Sequence, residues 1–441
     1  MQIHADTNSS CVVRPFASIV SVYRIVCARF SRHAESYATM PLAPSHRWEE
    51  RFADRAAHIH LTAVSGPTAP PSTAPDYISL RSGAPAPECV PFEWLEEGSQ
   101  RAWKAGPSLS GYAAATGSEP LRAAIATLMR ARGCEDVTPE HITLLTGAQQ
   151  GLDCIARLFL DPGDTVAIDD PAYPGAIQVF DLCQPRYLPI PITGDGMDLD
   201  ALEALLAGGA RPKFLYTVPT FQNPTGATLP LAGRERLVAL SRQYGLLIVE
   251  DDPYGELAFD GPPIAPIRAL DADVLYVGTF SKTIAPGIRT GWIVTPPVLW
   301  DKMYALKEAM DINSDRFTQE TVAGALATGF YPGHVAHICE TYRERRDLML
   351  DALHEYMPPD VQWNTPAGGF FVWLRLPAGM NAADVDVAAR AHNVGIVLGS
   401  GCTVVPTQHT DSIRLSFCST PPAAIPRGIR RLAAAIAAVR E

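Results

Sequence analysis

The chain has 441 residues, too many for one ordinary hydrophobic core, so a large domain with a smaller companion is expected. Its formal net charge is −11 and 47% of its residues are apolar, which fits a globular protein and leaves no electrostatic footprint for nucleic acid or an anionic membrane. The 9 cysteines are scattered, with no CxxC pair and no Cys/His cluster of zinc spacing, so reduced thiols in the cytoplasm are the expectation and a metal site is not.

No run approaches the roughly 18 uninterrupted apolar residues of a membrane span. Residues 1–47 read as an extension. Its first 40 residues carry Arg14, Arg24, Arg29 and Arg32 against Asp6 and Glu35. That acid-poor, Arg- and Ser-rich start can be a transit peptide. A non-globular tail, or translation starting at Met40, are the plainer readings and are preferred. Trp48, Phe52, Ala56 and Ile59 have helical spacing. Residues 64–76 are a Pro/Ser/Thr linker. Tyr77 to Leu80 is a short β run, followed by the turn Gly83-Ala84-Pro85.

From about 110 the chain alternates helix and strand. Helices are predicted at 119–132, 147–159, 198–207 and 230–244. Strands are predicted at 142–145, 165–168, 214–218, 246–250, 274–278 and 292–294. Short apolar strands between helices predict an α/β domain whose mostly parallel sheet is covered on both faces. From 297 to 357 the texture is helical, punctuated by Pro332-Gly333. A strand at 370–376, a helix at 382–392 and an Ala-rich closing helix from about 422 suggest a separate α+β domain. The expected division is a large domain at 110–310 and a small one at 311–441, which segment 48–109 joins.

Four short segments follow one another along the α/β part. They are Asn223-Pro224-Thr225-Gly226, Asp251-Asp252-Pro253-Tyr254, Thr279-Phe280-Ser281-Lys282 and, seven residues past the lysine, Arg289. Alone, each is an ordinary turn or loop. Together they sit at or beyond strand C-termini, where open α/β sheets place ligands. Their chemistry suits pyridoxal 5′-phosphate (PLP). Its pyridine nitrogen needs a carboxylate to stay protonated, which Asp251 or Asp252 can supply. Its aldehyde needs an amine, and a lysine after an apolar strand is partly desolvated, with a depressed pKa. Its phosphate needs donors: Thr279, Ser281, Arg289 and the backbone N–H groups where Gly147-Ala148-Gln149 opens a helix. Asn223 and Tyr254 suit its phenolic oxygen.

With these motifs, residues 77–441 resemble the fold-type I PLP enzymes of aminotransferase class I/II. The similarity is to the branch of 2-aminoadipate and kynurenine aminotransferases and the aminotransferase-like domain of MocR regulators. The resemblance implies a seven-stranded large-domain sheet and a smaller α+β domain. It makes Lys282, Asp251 and Tyr254 the catalytic residues, with Asp251 rather than Asp252 as the ring-nitrogen partner. Tyr173 matches an aromatic residue stacked on the cofactor, and Tyr112 one that reaches the phosphate of a neighbouring subunit. Arg414, in Ile413-Arg414-Leu415, matches the clamp for the substrate α-carboxylate, beside Asn223. The implied function is transfer of an α-amino group to a 2-oxo acid through a Lys282 aldimine and a quinonoid, in a homodimer with shared sites. The alternative is β/γ-elimination, replacement or C–C bond formation on an amino acid. One segment departs from the family pattern Ser-Phe-Ala-Gly-Gly-x-Pro: here it reads Ser79-Leu80-Arg81-Ser82-Gly83-Ala84-Pro85. Arg81 or Ser82 is therefore a candidate for contacting a polar substrate group. About 76 residues precede the resemblance, without a convincing helix-turn-helix, so a transcription factor is not expected.

Overall fold

The computed structural model describes residues 48–61, 74–104 and 106–440. The expected extension 1–47 and most of the linker lie outside them. Two compact units divide at Asp54. The described residues of the first include the 3-10 turn Trp48–Arg51. The helix expected over 48–63 is not continuous: Asp54–His58 is another 3-10 helix with no buried residue. Phe52 and Ile59 of the expected apolar stripe are exposed, and so short a helix is marginal without tertiary support.

In the second unit, β1 (Ile78–Ser79) precedes α1 (Phe92–Lys104) and α2 (Glu119–Ala131). Then come β2 (Ile142–Leu145), α3 (Ala148–Phe159), β3 (Thr165–Asp170), α4 (Pro174–Asp181), β4 (Arg186–Thr193) and β5 (Gly196–Met197). They are followed by α5 (Leu199–Ala207), β6 (Phe214–Thr217), α6 (Leu231–Tyr244), β7 (Ile248–Asp251), β8 (Leu275–Thr279) and β9 (Gly291–Val294). One sheet holds β2 to β9 in the order β2-β9-β8-β7-β6-β3-β4-β5. Strands β4, β3, β6, β7 and β8 run parallel, and β9 is antiparallel to both neighbours. The sheet thus has eight strands rather than seven. The additional one is β5, two residues that fold back antiparallel on β4.

Strands β6, β7 and β8 are buried along their whole length, as expected of central parallel strands covered on both faces. Strand β4 escapes a sequence reading because Pro189 and Pro191 interrupt it. It lies beside β3 near the sheet edge, where missing N–H groups are tolerated. Helix α5 starts cleanly because the Asp198 carboxylate accepts from the N–H groups of Asp200 and Ala201.

The C-terminal part contains α7 (Trp300–Asp311), α8 (Arg316–Leu326), α9 (Tyr331–Tyr356), β10 (Gln362–Trp363), β11 (Phe371–Arg375) and α10 (Ala382–Ala391). It closes with β12 (Val394–Gly395), β13 (Val397–Leu398), β14 (Ser412–Ser416) and α11 (Ile425–Arg440). Pro332 does not break a helix; it sits in the first turn of α9, where no intrahelical N–H is lost. Strands β10, β11, β14 and β13 form an antiparallel sheet. Strand β1 pairs with β12, and α1 packs on α8. At Gly98 of α1 an added Cβ would lie 2.2 Å from the Thr321 carbonyl, so only glycine allows that approach. One buried cluster runs from Leu152, Phe214 and Val277 to Val372, Leu415 and Ile429. The segments singled out in the sequence follow the ends of β6, β7 and β8, on one edge of the sheet.

Candidate active site

A cavity of about 250 Å³ opens beyond those strand ends. Of the residues singled out in the sequence, Ala148, Gln149, Tyr173, Asn223, Asp251, Tyr254, Thr279, Ser281, Lys282, Arg289 and Arg414 line it. Gly147, Tyr112, Arg81 and Ser82 do not.

Asp251 ends β7 and is buried. Its Oδ2 accepts from the Tyr216 hydroxyl at 2.8 Å. Its Oδ1 is buried without a hydrogen-bond partner among the described residues. Burial pushes its carboxyl up to about 7, although the Tyr216 O–H pulls the other way. Asp252 is not an equivalent choice. Successive residues leaving a strand face opposite ways, and Asp252 pairs with Arg132 at 2.7 Å and accepts from the Tyr276 hydroxyl at 3.1 Å. It does not line the cavity.

Lys282 follows β8 by three residues. Its Nζ donates to the Gly83 carbonyl at 2.9 Å, and burial lowers its pKa. Just before it, Thr279 Oγ1 and Ser281 Oγ lie 2.8 Å apart, and the Ser281 N–H donates to Thr279 Oγ1 at 3.1 Å. Arg289 is exposed and left-handed, with φ of 45°. Its Nη2 donates to the Thr146 carbonyl at 3.1 Å. Gly147, the N-cap of α3, lies directly under this guanidinium: an added Cβ would come 2.3 Å from Arg289 Nη2. Gly147 thus keeps the arginine over the helix N-terminus, where backbone N–H groups favour an anion.

Arg414 on β14 is 1% exposed. Its Nη1 donates to Asn223 Oδ1 at 3.0 Å and its Nη2 to the Arg81 carbonyl at 2.7 Å. Its guanidinium lies 4.3 Å from the centroid of the Phe371 ring. The Tyr173 hydroxyl donates to Gln149 Oε1 at 3.3 Å, and burial pushes its phenol up to about 12. Tyr254 is buried edge-on to Phe370 and Phe371, and burial raises its phenol.

The departing segment 79–85 contributes through its main chain. The Arg81 carbonyl holds Arg414, the Ser82 carbonyl accepts from Ser416 Oγ and Cys418 Sγ, and the Gly83 carbonyl holds Lys282. The Arg81 side chain runs beside Gly395, where a Cβ would meet Arg81 Cδ at 3.1 Å. Tyr112 is 86% exposed.

The family model for aminotransferase class I and II matches residues 75–432. The chain belongs to this family. It is 38% identical to aromatic-amino-acid aminotransferase 1 of Thermococcus litoralis, over 89% of this chain and 96% of that protein. Its fold matches α-aminoadipate aminotransferase LysN of Thermus thermophilus, solved with N-(5′-phosphopyridoxyl)-L-leucine. There the TM-score is 0.82 at 34% identity, over 89% of this chain and 99% of that one. It equally matches kynurenine aminotransferase of Pyrococcus horikoshii, with TM-score 0.83 and 34% identity over 90% and 99% of the two chains. The protein is therefore a fold-type I, PLP-dependent aminotransferase, moving an amino group from an amino acid to a 2-oxo acid. Nothing in these relatives supports elimination, replacement or C–C bond formation.

In this aminotransferase several cavity residues escaped the sequence reading: Leu152, Val218, Pro286 and Phe371. Tyr216 behind Asp251 escaped too. Each lies in an apolar run or a turn, and only its tertiary neighbour distinguishes it. Among the described residues no cluster of His, Cys, Asp and Glu could hold a metal, and no helix is long and apolar enough to cross a membrane.

Proposed function

We propose that Lys282 is the residue that bonds the PLP aldehyde and then moves the substrate α-proton. The observation that carries this is the pairing in one cavity of a pKa-depressed lysine with a buried carboxylate whose Oδ1 has no donor among the described residues. An unpartnered buried acceptor is costly, and a protonated pyridine nitrogen is a donor of the right kind for Asp251. Donors for a phosphate are also in place: Thr279, Ser281, Arg289 and the N–H groups of Ala148 and Gln149 at the start of α3. Asn223 and Tyr254 would hold the phenolic oxygen, and Tyr173 the ring face. The donor set thus fits the cofactor, which when bound supplies an electron sink for the carbanion left by α-proton removal.

The remaining tasks fall to the chain. Burial leaves Lys282 Nζ a larger neutral fraction at neutral pH, ready to accept and return a proton. Arg414 presents a buried guanidinium to the substrate α-carboxylate, steadied by Asn223, the Arg81 carbonyl and Phe371. We further infer a homodimer in which the partner subunit's Tyr112 completes the phosphate site. The 86% exposure of Tyr112 and the 68% exposure of Trp103, nine residues before it, support a covering surface. The cytoplasm is the inferred compartment, since Cys89, Cys134, Cys154, Cys183, Cys339, Cys402 and Cys418 are all unpaired thiols. Small molecules rather than nucleic acid are the inferred partners of a chain with net charge −11.

The test is mass spectrometry of the holoenzyme incubated with a panel of amino acids, with and without 2-oxo acids. A 2-oxo acid product and the amine form of the cofactor are expected, with the aldehyde form recovered on adding 2-oxoglutarate. A wild-type rate of α-proton exchange in Lys282→Ala would sink the Lys282 assignment.

A further inference from the structure

Thr146 joins β2 to α3, and all of its polar atoms are engaged. Its N–H donates to Gln150 Oε1 at 2.8 Å, its Oγ1 to Ser314 Oγ at 3.1 Å, and its carbonyl accepts from Arg289 Nη2 at 3.1 Å. Two of these links converge on one atom. Gln150 Nε2 donates to Asp311 Oδ2 at 3.0 Å, and Ser314 Oγ donates to the same oxygen at 3.3 Å. The other carboxylate oxygen, Asp311 Oδ1, takes Lys307 Nζ one turn back along α7. The Lys307 side chain is 0% exposed. A lysine buried so completely is rare unless it is paired.

This chain of contacts has a direction. A carboxylate only accepts hydrogen bonds. Asp311 therefore compels Gln150 to turn its NH2 toward α7 and its carbonyl toward the Thr146 N–H. An asparagine at 311 would accept or donate equally well, and the Gln150 amide could then face either way. Lys307 Nζ, which can only donate, occupies the other carboxylate oxygen and so holds Oδ2 toward Gln150 and Ser314.

We propose that Gln150 and Asp311, backed by Lys307, are positioning residues for the phosphate end of the active site. They orient Thr146, and the Thr146 carbonyl in turn holds the Arg289 guanidinium over Gly147. The proposal rests on the reading of Arg289 and the 147–149 turn as phosphate anchors.

The experiment compares reconstitution of the full chain with PLP and with pyridoxal, which lacks the phosphate, following the absorbance of the bound cofactor. Gln150→Leu and Asp311→Asn are each expected to weaken PLP by about tenfold, the scale of one lost hydrogen bond. Both should leave pyridoxal within about twofold of the wild type, a difference too small to reflect a lost contact. Gln150 is only partly buried, so its variant tests the idea even if Asp311→Asn folds poorly. Equal weakening of both ligands by Gln150→Leu, or no weakening of PLP, overturns the proposal. Arg289→Ala separates the two layers. If it too shows no preference for PLP over pyridoxal, the anchor reading falls with the proposal. If Arg289→Ala is selective and Gln150→Leu is not, only the positioning network falls.

Discussion

Two kinds of residue border the cavity. Asp251 and Arg414 are 3% and 1% exposed, while Arg289 is exposed; Tyr112, which we assign to the partner subunit's phosphate site and which does not line this cavity, is 86% exposed. The buried pair sits on or at the end of strands, and each member has a defined local partner: Tyr216 for Asp251, Asn223 for Arg414. The exposed pair sits outside the strands and helices. The difference follows from the tasks we assign. A group that must hold one proton, or grip one carboxylate in one orientation, gains from a low dielectric that strengthens its few contacts. A group that adds charge around a phosphate works in the presence of water.

The largest effect that sharpens this contrast is expected at Lys282. Lys282→Ala should lower kcat by about 10³-fold or more, the upper range for losing a positioned proton carrier. Exchange of the substrate α-proton in deuterated water, read by NMR, should fall with it. Arg414→Ala should reduce kcat/KM by about 100-fold, since it strips a buried charged partner from the carboxylate. Steady-state kinetics check this. A loss of only a few-fold would place Arg414 with the solvent-tolerant group and break the contrast.

A smaller effect is expected behind Asp251. Its carboxyl is already pushed up to about 7 by burial. Tyr216→Phe removes the hydroxyl that favours the ionised form, so the pKa should rise further. A carboxylate is ionised above its pKa, so activity should be lost at higher pH as the solution is acidified. The acid limb of the kcat/KM profile should move up by about one unit, the scale of one hydrogen bond. An unmoved limb would mean that Tyr216 does not govern the charge on Asp251. The smallest effect is expected for Arg81→Ala. Because Arg81 holds Arg414 by its carbonyl, donor preference in the amino-acid panel should stay within about twofold, inside the range of ordinary surface changes. A selective loss of polar or acidic donors would instead make the Arg81 side chain part of the substrate site.

Much of the fold was legible in local pattern. The strand that ends in Asp251 grows out of the apolar run 246–249 and the one before Lys282 out of 274–277, and buried parallel strands need little else. Strand β4 was not legible, because Pro189 and Pro191 oppose strand structure except near an edge, and edge position is a property of the whole sheet. The helix sought at 48–63 has apolar spacing, yet Asp54–His58 buries nothing. Periodicity records which face could be buried, not whether a partner arrives.

The sequence by itself determined that Asn223, Asp251, Tyr254, Lys282 and Arg289 belong together. Each occupies a strand end or the loop after it, and a parallel sheet brings such ends to one edge. Tertiary structure alone decided how neighbouring positions divide. Asp251 lines the cavity while Asp252 turns to Arg132. Arg81 serves through its carbonyl, and a buried lysine on α7 stands behind the turn that steadies Arg289. Those assignments depend on which side chains meet across distant parts of the chain, and hydrogen bonds act only over a few ångströms.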